Sequence, residues 1–129
     1  MSECERLVTA SRFKGIRILL VEDETVVSLL IEDMLKELGC ANIWHASGVN
    51  QAIAILRDRQ PDAAVLDVNL AGEPGYKIAE HLEAAHIPFL FATGYGCYGL
   101  PEHWASRPTI QKPFRYDALA AALGSLLGR

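Results

Sequence analysis

Four short apolar runs, each delivered into a polar side chain, constrain what this chain can fold into. Ile18-Leu19-Leu20-Val21 runs into Glu22-Asp23, and Ala63-Ala64-Val65-Leu66 runs into Asp67. Pro88-Phe89-Leu90-Phe91-Ala92 ends in Thr93, and Ile110-Gln111 leads into Lys112-Pro113. Uncharged runs of this length, separated by stretches of helical period, read as strands of a parallel sheet buried on both faces. An open parallel sheet binds its ligands at the carboxyl ends of its strands. Three carboxylates, a hydroxyl and an ammonium should therefore gather at one edge.

Between the runs the period changes. Val27, Leu30, Ile31, Met34 and Leu38 recur at helical spacing, with Glu32 and Lys36 four apart on the opposite face and Gly39 as a stop. Ala41 to Ala46 is a weaker strand. Ser47 is expected to cap a helix carrying Val49, Ala52, Ile53 and Leu56, which ends before Pro61. Tyr76 to Ala85 reads as a short helix. From Gly94 to Pro108 helix formers are scarce, with Gly94, Gly96, Gly99 and Pro101 all in this stretch. Leu119, Leu123 and Leu126 share one face of a final alanine-rich helix. The alternation predicts an α/β fold. It should be a doubly wound three-layer sandwich with a five-stranded parallel sheet in the order 2-1-3-4-5, of flavodoxin-like type. Residues 1–14 are expected to be a short N-terminal extension, and residues 15–129 one domain.

Composition narrows the function. The 129 residues suit one domain, half of them are apolar and 22% are charged, as in an ordinary globular chain. The net charge of −4 and the lack of a Lys/Arg cluster argue against nucleic acid as a partner. The first fourteen residues hold Glu3, Glu5, Arg6 and Arg12 and no long apolar stretch, so neither a secretory signal nor a membrane span is expected. Cys4, Cys40 and Cys97 are scattered and lack metal-ligand spacing, which reads as free thiols in a cytoplasmic protein. His45, His81, His86 and His103 also lack metal spacing and are expected to be surface or partly buried residues. Trp44 and Trp104 are candidate interface anchors, with Trp44 read as covering the sheet edge. Gly94-Tyr95-Gly96 lacks the later glycine of a nucleotide-binding fingerprint.

The acidic cluster has a definite chemistry. Mg²⁺ prefers hard oxygen ligands, and three carboxylates brought together repel one another until a dication joins them. Glu22, Asp23 and Asp67 are the candidate metal acids. A carboxylate can also act as a nucleophile and form an acyl phosphate. Phosphoryl transfer then needs alignment and positive charge near the transferred oxygens, which Mg²⁺ and Lys112 would provide, with a hydrogen bond from Thr93. Singly, these residues have ordinary readings as a helix start, a turn residue and a solvated lysine. Together, each at the end of a separate strand, they argue for a site.

Leu20-Val21-Glu22-Asp23-Glu24, Val65-Leu66-Asp67-Val68-Asn69-Leu70, Phe91-Ala92-Thr93-Gly94 and Lys112-Pro113-Phe114 resemble the motifs of receiver domains of bacterial two-component response regulators. The resemblance runs from about Gly15 to the C-terminus, with the four motifs in order. It implies that Asp67 is the phosphoacceptor and that Glu22 and Asp23 are the Mg²⁺ acids. It further implies that Asn69 adds a metal ligand through its backbone carbonyl, and that Thr93 and Lys112 contact the phosphoryl group. Lys112-Pro113 resembles the family's cis peptide. Phe91-Ala92-Thr93-Gly94-Tyr95-Gly96 resembles a subgroup common in alphaproteobacteria whose members often consist of a single domain. Many receivers carry Tyr or Phe three residues before the lysine. Thr109 stands there in this chain, and Tyr95 is the candidate substitute in switching.

The expected function is that of a stand-alone response regulator, phosphorylated on Asp67 by a histidine kinase or phosphotransfer protein and acting through phosphorylation-dependent binding of a downstream signalling protein. It is expected to be a monomer or weak homodimer, not an enzyme beyond self-directed phosphoryl transfer and autodephosphorylation. The output surface is expected around Tyr95, Trp104 and Tyr116, with the kinase beside the first helix. The alternatives are a haloacid-dehalogenase-like aspartyl-phosphate phosphatase and a phosphate sink with no downstream partner. The first wants an acid two residues after the nucleophile, where Asn69 stands. A flavin-binding flavodoxin-like protein is disfavoured, because no Ser/Thr-rich phosphate loop follows the first strand.

Overall fold

The computed structural model describes residues 13–70, 73–94, 104, 108–112 and 114–128. In chain order the elements are β1 (Arg17–Val21), α1 (Thr25–Glu37), β2 (Asn42–Ala46), α2 (Val49–Asp58), β3 (Ala63–Asp67), β4 (Asn69–Leu70), β5 (Glu73–Pro74), α3 (Tyr76–Ala84), β6 (Phe89–Thr93), β7 (Thr109–Gln111) and α4 (Tyr116–Leu127). Five strands form a parallel sheet in the order β2-β1-β3-β6-β7, which is the expected 2-1-3-4-5. The two-residue strands β4 and β5 pair antiparallel as a separate small hairpin after β3, which the sequence did not announce.

Side-chain alternation divides the core in two. Ile18, Leu20, Val65, Leu90 and Ile110 face one way and pack with Ile31 and Leu35 of α1 and Leu119 and Leu123 of α4. Leu19, Val21, Ala64, Leu66, Phe89 and Phe91 face the other way, against Val49 and Ala52 of α2 and Ile78, Ala79 and Leu82 of α3. Helices on both faces explain why β3 and β6 are buried at every position. The edge strand β2 is only partly covered, which is why its pattern was weak. Phe13 and Ile16, just ahead of β1, are also buried in the α1–α4 half of the core.

Three local readings change. In α1 the buried positions are Ser28, Ile31 and Leu35, while Leu30, expected on the inner face, is 56% exposed. With Val26 and Leu29 it forms an outward apolar patch. Leu apolar periodicity on both sides of this helix left its orientation to be set by packing. Ser47 does not cap α2. Gly48 is the N-cap, and the Ser47 hydroxyl and backbone N–H instead donate to Gln51 Oε1 at 3.0 and 2.8 Å. Trp104 is buried, not an exposed anchor. Gly39 does end α1 in the left-handed region, with φ of 96°, where glycine carries no Cβ penalty.

Candidate phosphoacceptor site

Strand alternation explains which polar ends meet. Glu22 follows Val21, Asp67 follows Leu66, and Lys112 follows Gln111, so all three fall on the parity of the α1–α4 face. Thr93 has the opposite parity, shared with Phe91. The fold accordingly brings ligand oxygens of Glu22, Asp23 and Asp67 within 4.8 Å of one another. The Lys112 ammonium donates to Glu22 Oε2 at 2.5 Å and lies 3.3 Å from Asp67 Oδ2. The other Glu22 oxygen, Oε1, accepts from the Glu24 backbone N–H at 3.3 Å.

Burial makes these charges expensive to leave uncompensated. Glu22 is 1% exposed, Thr93 3% and Asp67 7%, while Asp23 is half-buried. Desolvation raises the Glu22 carboxyl above the usual glutamate range, opposed by its bond to Lys112 and reinforced by the charge of Asp67. For Lys112, burial works to lower the ammonium's pKa. The hydrogen bond to Glu22 and the charges of Asp67 and Glu22 outweigh it, so the net direction is upward. Lys112 is held protonated. Among the described residues, three carboxylates meet one ammonium here, an excess of negative charge that a divalent cation would offset. The donors are all hard oxygens, the set that Mg²⁺ prefers. Glu22, Asp23 and Asp67 thus fit such an ion.

The backbone around the site is tightly tied. Thr93 O accepts from the Lys112 N–H at 2.7 Å, which ties the end of β6 to the end of β7. Val68 N–H donates to Ala92 O at 3.3 Å. Asn69 opens β4, two residues beyond Asp67. Tyr95, Gly96 and Pro113, on which the expected loop switch and cis peptide rest, lie outside the described residues.

Two neighbours were not legible in the sequence. His45, expected to be a surface or partly buried residue, is exposed, and its Nε2–H donates to the Glu22 carbonyl at 2.9 Å. It pairs with Leu20 across β1 and β2, and no local pattern marks that. Gly75 precedes α3, and its N–H donates to Val68 O at 2.9 Å. A Cβ at Gly75 would sit 2.6 Å from the Asp67 carbonyl oxygen, so only glycine lets the chain pass this close behind the candidate nucleophile. The loop residues Gly72, Pro74 and Gly75 after Asp67 were the available signal, and they do not single out Gly75.

A doubly wound parallel sheet carrying an acidic trio and a lysine at its carboxyl edge is the architecture of a receiver-type signalling domain. The family model for the response regulator receiver domain matches residues 18–123, and the chain belongs to that family. Phosphorylation of an aspartate is the family's general mechanism. Among curated relatives, the transcriptional regulatory protein TcrA of Mycobacterium tuberculosis is 34% identical over 125 residues, covering 92% of this chain and 48% of that protein. The chain spans about half the length, or less, of the curated relatives it matches. The solution structure of SdrG from Sphingomonas melonis Fr1 is similar with a TM-score of 0.79 at 41% identity, covering 88% of this chain and 97% of that one. The receiver domain of the sensor histidine kinase PA1611 from Pseudomonas aeruginosa PAO1, solved with a magnesium ion coordinated in its active-site cleft, has a TM-score of 0.75 at 26% identity. That similarity covers 89% of this chain and 99% of that one. Among the described residues no helix is long and apolar enough to cross a membrane.

Proposed function

We propose that Asp67 is the phosphoacceptor of this receiver and that the chain signals by phosphorylation-dependent binding of another protein. The observation that carries the reading is the convergence at one strand edge of Glu22, Asp23 and Asp67 with Lys112 in contact with two of them. Asp67 sits at the end of the central strand, flanked by β1 and β6, where an approaching phosphoryl group meets both acids and lysine. In the transfer, a carboxylate oxygen of Asp67 forms a bond to phosphorus. The donor's P–N or P–O bond breaks, and its electron pair leaves with the donor.

Glu22, Asp23 and Asp67 would hold Mg²⁺, with the Asn69 backbone carbonyl as a further ligand. When bound, the ion supplies positive charge to the phosphoryl oxygens. Lys112 exchanges part of its pairing with Glu22 and Asp67 for the new phosphoryl oxygens, and Thr93 donates its hydroxyl to another. Because the Lys112 N–H is bonded to Thr93 O, those two contacts draw the ends of β6 and β7 toward one group. Loss of Lys112 should leave ion binding largely intact but uncouple phosphorylation from the surface change.

The phosphodonor, a histidine kinase or phosphotransfer protein, docks beside α1. An apolar groove of about 320 Å³ runs from Val27, Leu30, Ile31 and Met34 to Lys112 and Phe114. The exposed Val26 and Leu29 extend that surface. A donor seated there has its reactive group beside Asp67. The output is binding of a signalling protein and not of DNA, which the acidic balance supports.

The deciding experiment incubates the chain with Mg²⁺ and acetyl phosphate and reads intact mass, followed by mapping of the modified residue. Addition of one phosphoryl group at Asp67, abolished by a chelator, is the expected result. Modification elsewhere, or labelling indifferent to chelation, overturns the assignment. Many-turnover release of phosphate from a phosphomonoester would instead establish a phosphatase.

A further inference from the structure

The largest aromatic assembly in the described residues lies directly behind the site. Trp104 stacks on Tyr76 with ring centroids 6.5 Å apart and planes 6° from parallel. The same indole meets Phe91 edge-on at 6.1 Å and Phe89 at 6.0 Å. Tyr76 also meets Phe91 at 6.3 Å, and Phe89 meets Phe91 at 5.5 Å. Five contacts link the four rings, and Trp104 and Phe91 each meet the other three.

Two short paths connect this cluster to Asp67. On one side, Asp67's carbonyl rests against Gly75, the residue immediately before Tyr76. A shift of the Asp67 backbone presses on the start of α3 and so on the ring stacked against Trp104. On the other side, Phe91 lies two residues before Thr93 on β6, on the same face of the sheet. A pull on Thr93 is transmitted along that strand to the ring Trp104 meets edge-on. The paths leave the site from different strands and converge on one indole.

The register explains why there is room for it. Phe91 pairs with Thr109 across β6 and β7, and directly paired residues of parallel strands project from the same face. Position 109 therefore faces the side of the sheet that Trp104 covers, and it carries a small side chain. We propose that Trp104, clasped by Tyr76, Phe89 and Phe91, is the aromatic group that changes position when Asp67 is phosphorylated, taking the part that residue 109 is too small to play. The inference rests on the phosphoacceptor reading of Asp67. It assigns the switching role to Trp104 rather than to Tyr95.

The test uses the full chain carrying Trp44→Phe, which leaves Trp104 as its only tryptophan. Mg²⁺ and acetyl phosphate are added, intact mass reports acyl-phosphate formation, and Trp104 emission, acrylamide quenching and the indole N–H resonance report its surroundings. Mass gain accompanied by a shift in emission and in the indole resonance is expected. Tyr76→Leu should gain the same mass yet lose the Trp104 response, and Tyr76→Phe, which keeps the ring, should retain it. Mass gain with an unchanged Trp104 spectrum and resonance overturns the inference while leaving Asp67 as phosphoacceptor. A full response in Tyr76→Leu also overturns it. Absence of any mass gain overturns the phosphoacceptor reading and this inference with it.

Discussion

The two ends of the same sheet treat charge in opposite ways. At the amino edge, Arg17 and Asp62 form an exposed clasp. The Arg17 guanidinium donates to both Asp62 oxygens at 3.2 Å, and the Arg17 backbone N–H donates to Oδ2 at 2.8 Å. At the carboxyl edge, Glu22 and Asp67 are buried and both pair with Lys112. An exposed pair is screened and contributes little. Crowded buried acids cost stability, because desolvation and mutual repulsion both oppose their ionisation. The amino edge pairs its charges at the surface, at little cost and little gain. The carboxyl edge gathers acids around a lysine, the arrangement that the proposed cation and phosphoryl site requires.

The largest expected effect breaks that contrast outright. Asp67→Asn should take up no phosphoryl group by intact mass, since the anionic nucleophile is gone while its shape remains. Asp62→Asn, a matched change at the other edge, should label at the wild-type rate. Equal labelling of both variants would remove the distinction between the two ends.

Mg²⁺ sharpens the comparison thermodynamically. A ligand that binds only the folded state stabilises by about 2.7 kcal/mol at one hundred times its Kd. Wild type and Asp62→Asn should both show that gain in urea titrations, whereas Asp23→Asn should lose most of it. Identical gains in all three would place the cation elsewhere.

A change of comparable size tests the contact behind the nucleophile. Gly75→Ala puts a Cβ 2.6 Å from the Asp67 carbonyl oxygen, a backbone atom that cannot swing aside. Overpacking of this kind costs about 1–3 kcal/mol. Chemical denaturation should register the loss, and labelling of Asp67 should slow because its backbone is displaced. Gly48, also at a helix start, has nothing within 4 Å of a Cβ, so Gly48→Ala should leave the labelling of Asp67 unchanged.

The smallest expected effect lies at neither edge. Burial pushes the Cys40 thiol up to about 11 from its ordinary 9.0. Its folded pKa is raised, so the stability gained by keeping it protonated is fully present below pH 9 and lost as pH rises through about 11. Whatever offset in melting temperature separates wild type from Cys40→Ala at pH 8 should therefore move against wild type between pH 9 and 11. A constant offset across that window would count against the assignment.

Where the sequence was informative, the reason is that its signals were local. The apolar runs at β1, β3 and β6 are buried on both faces and contain no charge, so their existence, their order and their polar ends could all be read along the chain. Strand parity then puts Glu22, Asp67 and Lys112 on one side. Weak or two-sided patterns were less legible. The β4–β5 hairpin is two residues a side, and α1 has leucines on both its inner and outer faces, so periodicity did not orient it.

By itself the sequence determined a doubly wound parallel sheet, the family, and the residues that meet at its carboxyl edge. These follow from runs of a few residues and their alternation. Only the tertiary structure decided that Lys112 is shared between Glu22 and Asp67, that His45 holds the Glu22 carbonyl, and that Gly75 backs the Asp67 carbonyl. It also buried Trp104 against Tyr76, Phe89 and Phe91. Each of those contacts joins residues from separate elements through the relative placement of strands and loops. Such contacts are set by how helices and loops pack on the sheet, and no pattern along one strand or one helix encodes them.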